Sequence, residues 1–204
     1  MTEFYIVRHG QTQANTQDIK QGTINTPATY LNDTGKAQAQ KLHDHFDLKF
    51  ADRMIASPLE RTKQTAAILN VGYDLPLSYD QRLLEISYGR WDGQTNASLR
   101  KTYPELFNPI TGEVYPDYAI PAKGEEFTAV EARVREFTED MTQRYPEEKI
   151  VIVSHGFTVR SFAINAVQPK DPMSMPEPEN TSVTKIICAP DTLQQYLIYY
   201  NRRY

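Results

Sequence analysis

The stretch FYIVRHGQT, residues 4–12, decides how the rest of the chain is arranged. Its first four residues are apolar and include β-branched side chains, which is typical of a strand buried in a sheet. Arg8, His9 and Gly10 follow at once, so a cation and an imidazole stand where the strand ends. In open α/β sheets, ligands bind beyond the carboxyl ends of the strands. The stretch therefore predicts an inner strand whose carboxyl end carries a functional site.

Four other short apolar runs predict further strands, at residues 53–57, 149–154, 182–188 and 195–200. Helical patterns lie between them, at residues 34–48, 58–70, 125–144 and 157–167. Thr34 is the predicted cap of the first helix, and Pro58 is the predicted first residue of the second. Because strands alternate with helices, the sequence predicts an α/β fold whose sheet is covered on both faces.

The composition indicates a single globular domain spanning residues 1–204. The chain is 40% hydrophobic and 24% charged, close to an average globular protein. Residues 92–124 contain four prolines and only one short helical pattern, near 96–102, so they predict an insertion. A lid over the site and a long surface excursion are the two interpretations of this insertion. The lone Cys188 lies in an apolar run and is expected to be buried.

The charge pattern excludes several classes of partner. The net charge of −4 provides no basic field for nucleic acid or an anionic membrane, so any anion site must be local. The N-terminus shows no signal-peptide pattern, and no apolar run reaches 18 residues. We therefore expect a cytoplasmic protein that contacts neither nucleic acid nor membrane. Its oligomeric state is left open by the sequence.

Two further strand ends carry the same kinds of side chain as the first. His155 and Gly156 follow the strand predicted at 149–154, and Arg61 follows the one predicted at 53–57. Two histidines and two arginines can thus meet in one crevice, where the starts of two helices add backbone N–H donors. Guanidinium groups match phosphate oxygens bidentately, so the pattern predicts a phosphate pocket.

Chemistry at that pocket requires a nucleophile and an acid. A neutral imidazole can attack phosphorus and hold the phosphoryl group covalently, while the leaving alkoxide needs a proton. Glu85, which follows two leucines in LLEISYGRWDG (83–93), is the candidate acid because an apolar wall keeps a carboxyl group protonated. Asp92 and Glu126 are nearby acidic alternatives.

Four blocks in a fixed order carry a resemblance to a known family. They are RHGQT (8–12), SPLERTKQTA (57–66), LLEISYGRWDG (83–93) and VSHGFTVR (153–160). In this order they resemble the histidine phosphatase superfamily, the group that includes the cofactor-dependent phosphoglycerate mutases. The resemblance spans about residues 4–165 and implies a three-layer α/β/α sandwich with a mostly parallel sheet. It also implies an enzyme that acts on a small phosphate ester without a metal or other cofactor.

The resemblance implies roles for individual residues. His9 matches the nucleophile that becomes phosphohistidine, and Glu85 matches the proton donor that later activates water. The remaining matches fall in the phosphate pocket: Arg8, Asn15, Arg61, His155 and Gly156.

Departures from the mutase pattern favour hydrolysis over phosphoryl transfer. Mutases of this family typically follow the acidic residue with Arg-His-Tyr-Gly, whereas here Glu85 is followed by residues 86–89, Ile-Ser-Tyr-Gly. The adjacent arginine pair of the mutase insertion is also missing. We therefore expect a phosphomonoesterase. A phosphoglycerate mutase and a non-catalytic module that binds phosphoesters are the alternatives. Tyrosines of the insertion are expected to pack against an aromatic or apolar alcohol.

Overall fold

The structure is a computed structural model that describes every residue, 1–204. The six strands are β1 (Thr2–Arg8), β2 (Arg53–Ala56), β3 (Leu77–Tyr79), β4 (Lys149–Ser154), β5 (Val183–Cys188) and β6 (Gln195–Arg202). The seven α-helices are α1 (Gln13–Thr16), α2 (Asp33–His45), α3 (Glu60–Leu69), α4 (Asn96–Thr102), α5 (Ala119–Ala122), α6 (Phe127–Arg144) and α7 (Gly156–Val167). None of these helices combines the length and the apolar character needed to cross a membrane.

All six strands form one sheet in the order β3-β2-β4-β1-β5-β6. The strands from β1 to β4 run parallel, whereas β5 pairs antiparallel with both β1 and β6. The predicted α/β fold with a mostly parallel sheet is thereby confirmed. The strand that opens the chain lies inside the sheet, between β4 and β5.

Alternate side chains of the inner strands build two separate cores, because successive residues of a strand point to opposite faces. On β1, Phe4 and Ile6 pack with the side chains of α6 and α7. Val7 of the same strand packs on the other face, with Leu42 of α2 and Leu69 of α3. The sheet is therefore the middle layer of a three-layer α/β/α sandwich, as expected.

Two helix starts differ from the prediction. Helix α2 is capped by Asn32, whose Oδ1 accepts the Gly35 N–H at 2.8 Å, rather than by Thr34, and it ends at His45 rather than at residue 48. Helix α3 begins at Glu60, two residues after Pro58. Leu59 is the N-cap residue and is itself extended, with φ −76° and ψ 148°, so the chain remains extended past Pro58 before the helix begins.

The 92–124 excursion is built on the core it covers. Helix α4 confirms the short helix predicted near 96–102. Tyr118 is fully buried in the same apolar cluster as α6 and α7, and Tyr103 packs on Trp91 with ring centroids 5.1 Å apart. These tyrosines serve the core, so the expectation that they meet an alcohol in the site is wrong for both. The role of residues 92–124 as a lid stays a prediction.

Gly10 allows a close approach of two backbone segments. A Cβ atom at this position would stand 2.4 Å from the carbonyl oxygen of Gly35. The Gly10 N–H donates to Thr65 Oγ1 of α3 at 3.1 Å. The chain that follows β1 is thus held tightly against α2 and α3, and this packing fixes the backbone of His9.

Candidate active site

The register of the sheet brings three strand ends together. Arg8 pairs with Ser154 across β1 and β4, and the His9 N–H donates to the Ser154 carbonyl at 3.0 Å. On the other side of β4, the Ser57 N–H donates to the Val153 carbonyl at 2.9 Å. These pairings place the rings of His9 and His155 5.3 Å apart, edge to face.

The protonation of the His9 ring follows from one hydrogen bond. Its Nδ1 lies 2.7 Å from the carbonyl oxygen of Gly10, which can only accept, so Nδ1 carries the hydrogen and Nε2 keeps a lone pair. Burial, and then the charges of Arg61 and Arg8, hold the pKa of His9 well below its ordinary value. His9 is therefore a neutral imidazole with a free nucleophilic nitrogen at physiological pH.

His155 is held behind the pocket rather than in it. Arg61 Nε donates to its Nδ1 at 3.1 Å, so the hydrogen is on Nε2, which donates to Ser57 Oγ at 2.7 Å. The ring is fully buried and both of its nitrogens are occupied. Burial, and then the charge of Arg61, keep its pKa well below the ordinary value. His155 thus orients Arg61 and packs beside His9.

Arg61 lies in the first turn of α3 and is almost completely buried. Its Nη2 donates to the Gly22 carbonyl at 2.7 Å and its Nη1 to the Ile24 carbonyl at 3.1 Å. Burial lowers the pKa of Arg61 to about 10, so the guanidinium is still charged at neutral pH. One N–H on each terminal nitrogen is left to donate to a ligand.

Arg8 and Asn15 also have donors to offer. Arg8 Nη1 donates to the Pro178 carbonyl, but its buried Nε has no partner in the protein. The Oδ1 of Asn15 accepts the Thr12 N–H at 3.0 Å in a capping box, which leaves the amide N–H groups of Asn15 unused. A buried N–H without a protein partner is a group that an anionic ligand satisfies.

Glu85 lies against the N-terminus of α7. Its Oε1 accepts the N–H groups of Ile86 at 3.0 Å and Thr158 at 3.3 Å, whereas Oε2 accepts only the Phe157 N–H at 3.3 Å. Burial, followed by the charge of Glu177, raises the pKa of Glu85 above its ordinary value. Glu85 is therefore a carboxyl group biased toward its protonated form, with Oε2 the oxygen that has room for the proton.

The two alternative acids stand elsewhere. Asp92 accepts the Tyr88 N–H at 3.1 Å, and burial raises its pKa to about 6, but its side chain does not line the cavity that His9 faces. Glu126 is the exposed N-cap position of α6. The geometry favours Glu85 over both.

A cavity of about 240 Å³ joins these groups. Five of the predicted residues line it: Arg8, His9, Asn15, Arg61 and Glu85. His155 and Gly156 do not line it. A Cβ atom on Gly156 would stand 3.1 Å from Arg8 Cζ, so the glycine leaves room for the arginine.

Sequence reasoning missed several residues of the cavity wall. They come from the segment 18–22, from the chain after Glu85, from the insertion and from the loop before β5, and include Lys20, Tyr88, Arg100, Glu113 and Glu177. No periodic pattern marks most of them, because all of these except Arg100 of α4 lie outside α-helices and strands. Phe157, in contrast, points into the core, with its ring centroid 4.4 Å from that of Phe127.

The fold and the site together define a class of protein. A three-layer α/β/α sandwich carries, at the carboxyl edge of its sheet, a cavity lined by a histidine with a free nitrogen, two arginines and a carboxyl group. The family model of the histidine phosphatase superfamily (branch 1) matches residues 4–200. The chain belongs to this superfamily, and the resemblance seen in the sequence is confirmed.

Relatives with assigned activities are phosphatases. Phosphoserine phosphatase 1 of Hydrogenobacter thermophilus is 29% identical over 162 residues, which cover 79% of this chain and 74% of that protein. Adenosylcobalamin/alpha-ribazole phosphatase of Escherichia coli is 30% identical over 151 residues, 74% of this chain and 72% of that protein. Among solved structures, YhfR of Bacillus stearothermophilus superposes with a TM-score of 0.86 at 28% identity, over 100% of this chain and 98% of that one.

Proposed function

We propose that this protein is a phosphomonoesterase that hydrolyses a small phosphate ester through a phosphohistidine on His9. The observation that supports this most is the unprotonated Nε2 of a buried, neutral His9 in a cavity that Arg8, Arg61 and Glu85 also line. Nucleophile, charge-neutralising groups and acid thus share one small space. The phosphatase activities of the relatives agree with this proposal.

In the first step, His9 Nε2 attacks phosphorus and the bond from phosphorus to the ester oxygen breaks. The departing oxygen takes the proton of Glu85 and leaves as an alcohol. Arg8 and Arg61 neutralise the charge on the phosphoryl oxygens, where it develops in the transition state. Asn15 donates its free amide N–H to the same group.

In the second step, the ionised Glu85 takes a proton from water. The hydroxide attacks phosphorus, the bond between phosphorus and His9 Nε2 breaks, and inorganic phosphate leaves. The net reaction is ester plus water to alcohol plus phosphate, with His9 and protonated Glu85 restored. No step uses a metal ion or a cofactor. His155 acts on the reaction through Arg61, whose Nε it fixes.

The test is phosphate release from an aryl phosphate in the presence of a chelator. We expect turnover by the native protein, no turnover by His9→Ala, and turnover close to native by His45→Ala, a control histidine at the exposed end of α2. Native enzyme quenched in alkaline denaturant during turnover should carry a phosphoryl group that acid then removes, and His9→Ala should carry none. Turnover that survives in His9→Ala would overturn the proposed mechanism.

Two alternatives give different results in the same assay. A phosphoglycerate mutase would transfer the phosphoryl group between two positions of one substrate faster than it released phosphate. A non-catalytic binding module would bind phosphate esters without turnover.

We propose that the partner of this protein is the small phosphate ester itself and that the protein is located in the cytoplasm. Fractionation of cells tests the proposed location.

A further inference from the structure

Glu177 places a carboxylate with few partners in the catalytic cavity. Its side chain is 24% exposed, accepts no hydrogen bond and meets one cation, Arg8, whose Nη2 lies 3.9 Å from Oε2. The same oxygen would lie 2.1 Å from a Cβ atom on Gly156. This carboxylate therefore stands against the start of α7 and against Arg8, which the proposed function assigns to phosphate.

The backbone around Glu177 is firmly held. Its N–H donates to Glu113 Oε1 at 2.8 Å, and the carbonyl of the preceding Pro176 accepts the Tyr200 hydroxyl at 2.6 Å. The following carbonyl accepts from Arg8. Glu113 in turn is matched by buried Arg160, with Nη1 3.4 Å from Oε2. Of Glu113 and Glu177, Glu177 is thus the carboxylate that is left to bind a cation of the ligand.

Lys20 supplies the opposite charge in the same cavity. Its Nζ lies 4.4 Å from the centre of the Tyr88 ring and makes neither a hydrogen bond nor an ion pair. The carboxylates that face it are Glu177, Asp18, Glu113 and Glu85. Asp18 is itself close to Arg100, at 3.7 Å. The cavity therefore holds one cation without an ion pair, Lys20, and one carboxylate, Glu177, whose single cation partner is the phosphate-binding Arg8.

The single positive charge of Arg8 cannot neutralise both Glu177 and a dianionic phosphate, so a second cation between Glu177 and the phosphate is favourable. A substrate ammonium group two carbons from the ester oxygen would lie between Glu177 and the phosphate, because those two carbons hold it a few ångströms from phosphorus. The cavity of about 240 Å³ is smaller than the ~300–1,000 Å³ usual for small-molecule clefts, which favours a short alcohol. A carboxylate on the carbon that carries the ammonium group would pair with the ammonium group of Lys20.

On the basis of the proposed function, we infer that the substrate is a short zwitterionic phosphate ester, with Glu177 binding its ammonium group and Lys20 its carboxylate. Glu177 and Lys20 determine specificity rather than perform the chemistry. When an ester without the ammonium group is bound, Glu177 and the phosphate repel each other. The enzyme should therefore prefer the ester that carries the amine.

Four esters test each charge separately. Phosphoserine and 3-phosphoglycerate differ only in an ammonium replaced by a hydroxyl, and phosphoethanolamine and 2-hydroxyethyl phosphate form the same pair without the carboxylate. We expect the native kcat/KM to be roughly 10- to 100-fold higher for the amine in each pair, the range of a charge-assisted hydrogen bond. Phosphoserine should be the best of the four.

Three variants assign the preference to side chains. Glu177→Gln should reduce the amine-to-hydroxyl ratio to near one, and Lys20→Met should remove the preference for the carboxylate while keeping its contact with Tyr88. Glu179→Gln is the matched control, because its carboxylate pairs with exposed Arg203 outside the cavity and its ratios should equal the native ones.

The outcomes separate this inference from the proposed function. Equal native rates for amine and hydroxyl esters, with the aryl phosphate still hydrolysed, would overturn the inference alone. A uniform acceleration of all four esters in Glu177→Gln would show that Glu177 only repels phosphate, and would also overturn it. No phosphate release from any ester, the aryl phosphate included, would overturn both.

Discussion

Replacing Glu85 by glutamine tests the chemistry with little change of shape. The glutamine Oε1 keeps the N–H groups of Ile86 and Thr158 as donors, and only the 3.3 Å contact from the Phe157 N–H to Oε2 is lost. One hydrogen bond is worth about 1 kcal/mol of net stability, so the variant should remain folded. It can no longer protonate a leaving group.

The expected loss of activity depends on the leaving group. General acid catalysis contributes about 10²- to 10⁴-fold, so kcat for an alkyl phosphate should fall by that factor in Glu85→Gln. A nitrophenolate leaves without a proton, so the first step with nitrophenyl phosphate should be much less affected. Single-turnover measurement of alcohol release from the two esters gives the comparison directly.

The pH profile provides a second readout of the same variant. The pKa of Glu85 is raised, so native activity should persist from acid pH and fall as pH rises through that pKa, when the acid loses its proton. The pKa of His9 is lowered, so the nucleophile stays neutral well into the acid range. In Glu85→Gln, the fall in activity with rising pH that is due to the enzyme should be absent, because the variant has no acid at this position to lose its proton.

Two controls make the result decisive. Glu126→Gln alters an exposed carboxylate at the start of α6 and should leave both esters unaffected. A native-like rate on the alkyl ester in Glu85→Gln would refute the assignment of the acid. Loss of activity in Asp92→Asn with the same leaving-group dependence would move the assignment to Asp92.

Three further predictions concern stability and positioning. The pKa values of buried His9 and His155 lie below the ordinary 6.5, so each ring should contribute a loss of stability below pH 6.5 of up to about 1.4 kcal/mol per pH unit. The raised pKa values of Glu85 and Asp92 act in the opposite direction, so the test compares how the free energy of urea unfolding changes between pH 7 and 5.5 in the native protein and in His9→Ala. An equal change in the two proteins would contradict the shift of His9. Gly10→Ala forces a Cβ atom to within 2.4 Å of the Gly35 carbonyl and should cost about 1–3 kcal/mol, measured by the same method; unchanged stability would mean that the two segments separate freely. Ser57→Ala leaves the His155 Nε2–H unpaired and should cost about 1–3 kcal/mol with a lower kcat, whereas Ser57→Thr should retain more of both.

Local patterns along the chain predicted five of the six strands, all but β3, and five of the residues that line the cavity. Arg8 and His9 follow an apolar strand directly, so chain connectivity alone places them at its carboxyl end. Parallel strands end at the same edge, which is why Arg61 could be predicted to join them across the sheet. Cap positions were less secure: Asn32 and Thr34 are both good caps, and only the contact with the Gly35 N–H selects Asn32.

The tertiary structure alone decided which groups face the ligand and which stand behind it. His155 matches the family pattern, yet its ring nitrogens are taken by Arg61 and Ser57, a result of strand register and helix placement. Lys20 and Glu177 reach the cavity on loops, where no period of 2 or 3.6 residues marks the side of the chain that faces inward. The sequence by itself thus determined the fold class and was enough to predict a phosphate pocket, because these depend on residues next to regular elements. The surroundings of the alcohol depend on long-range loop packing, which only the folded chain shows.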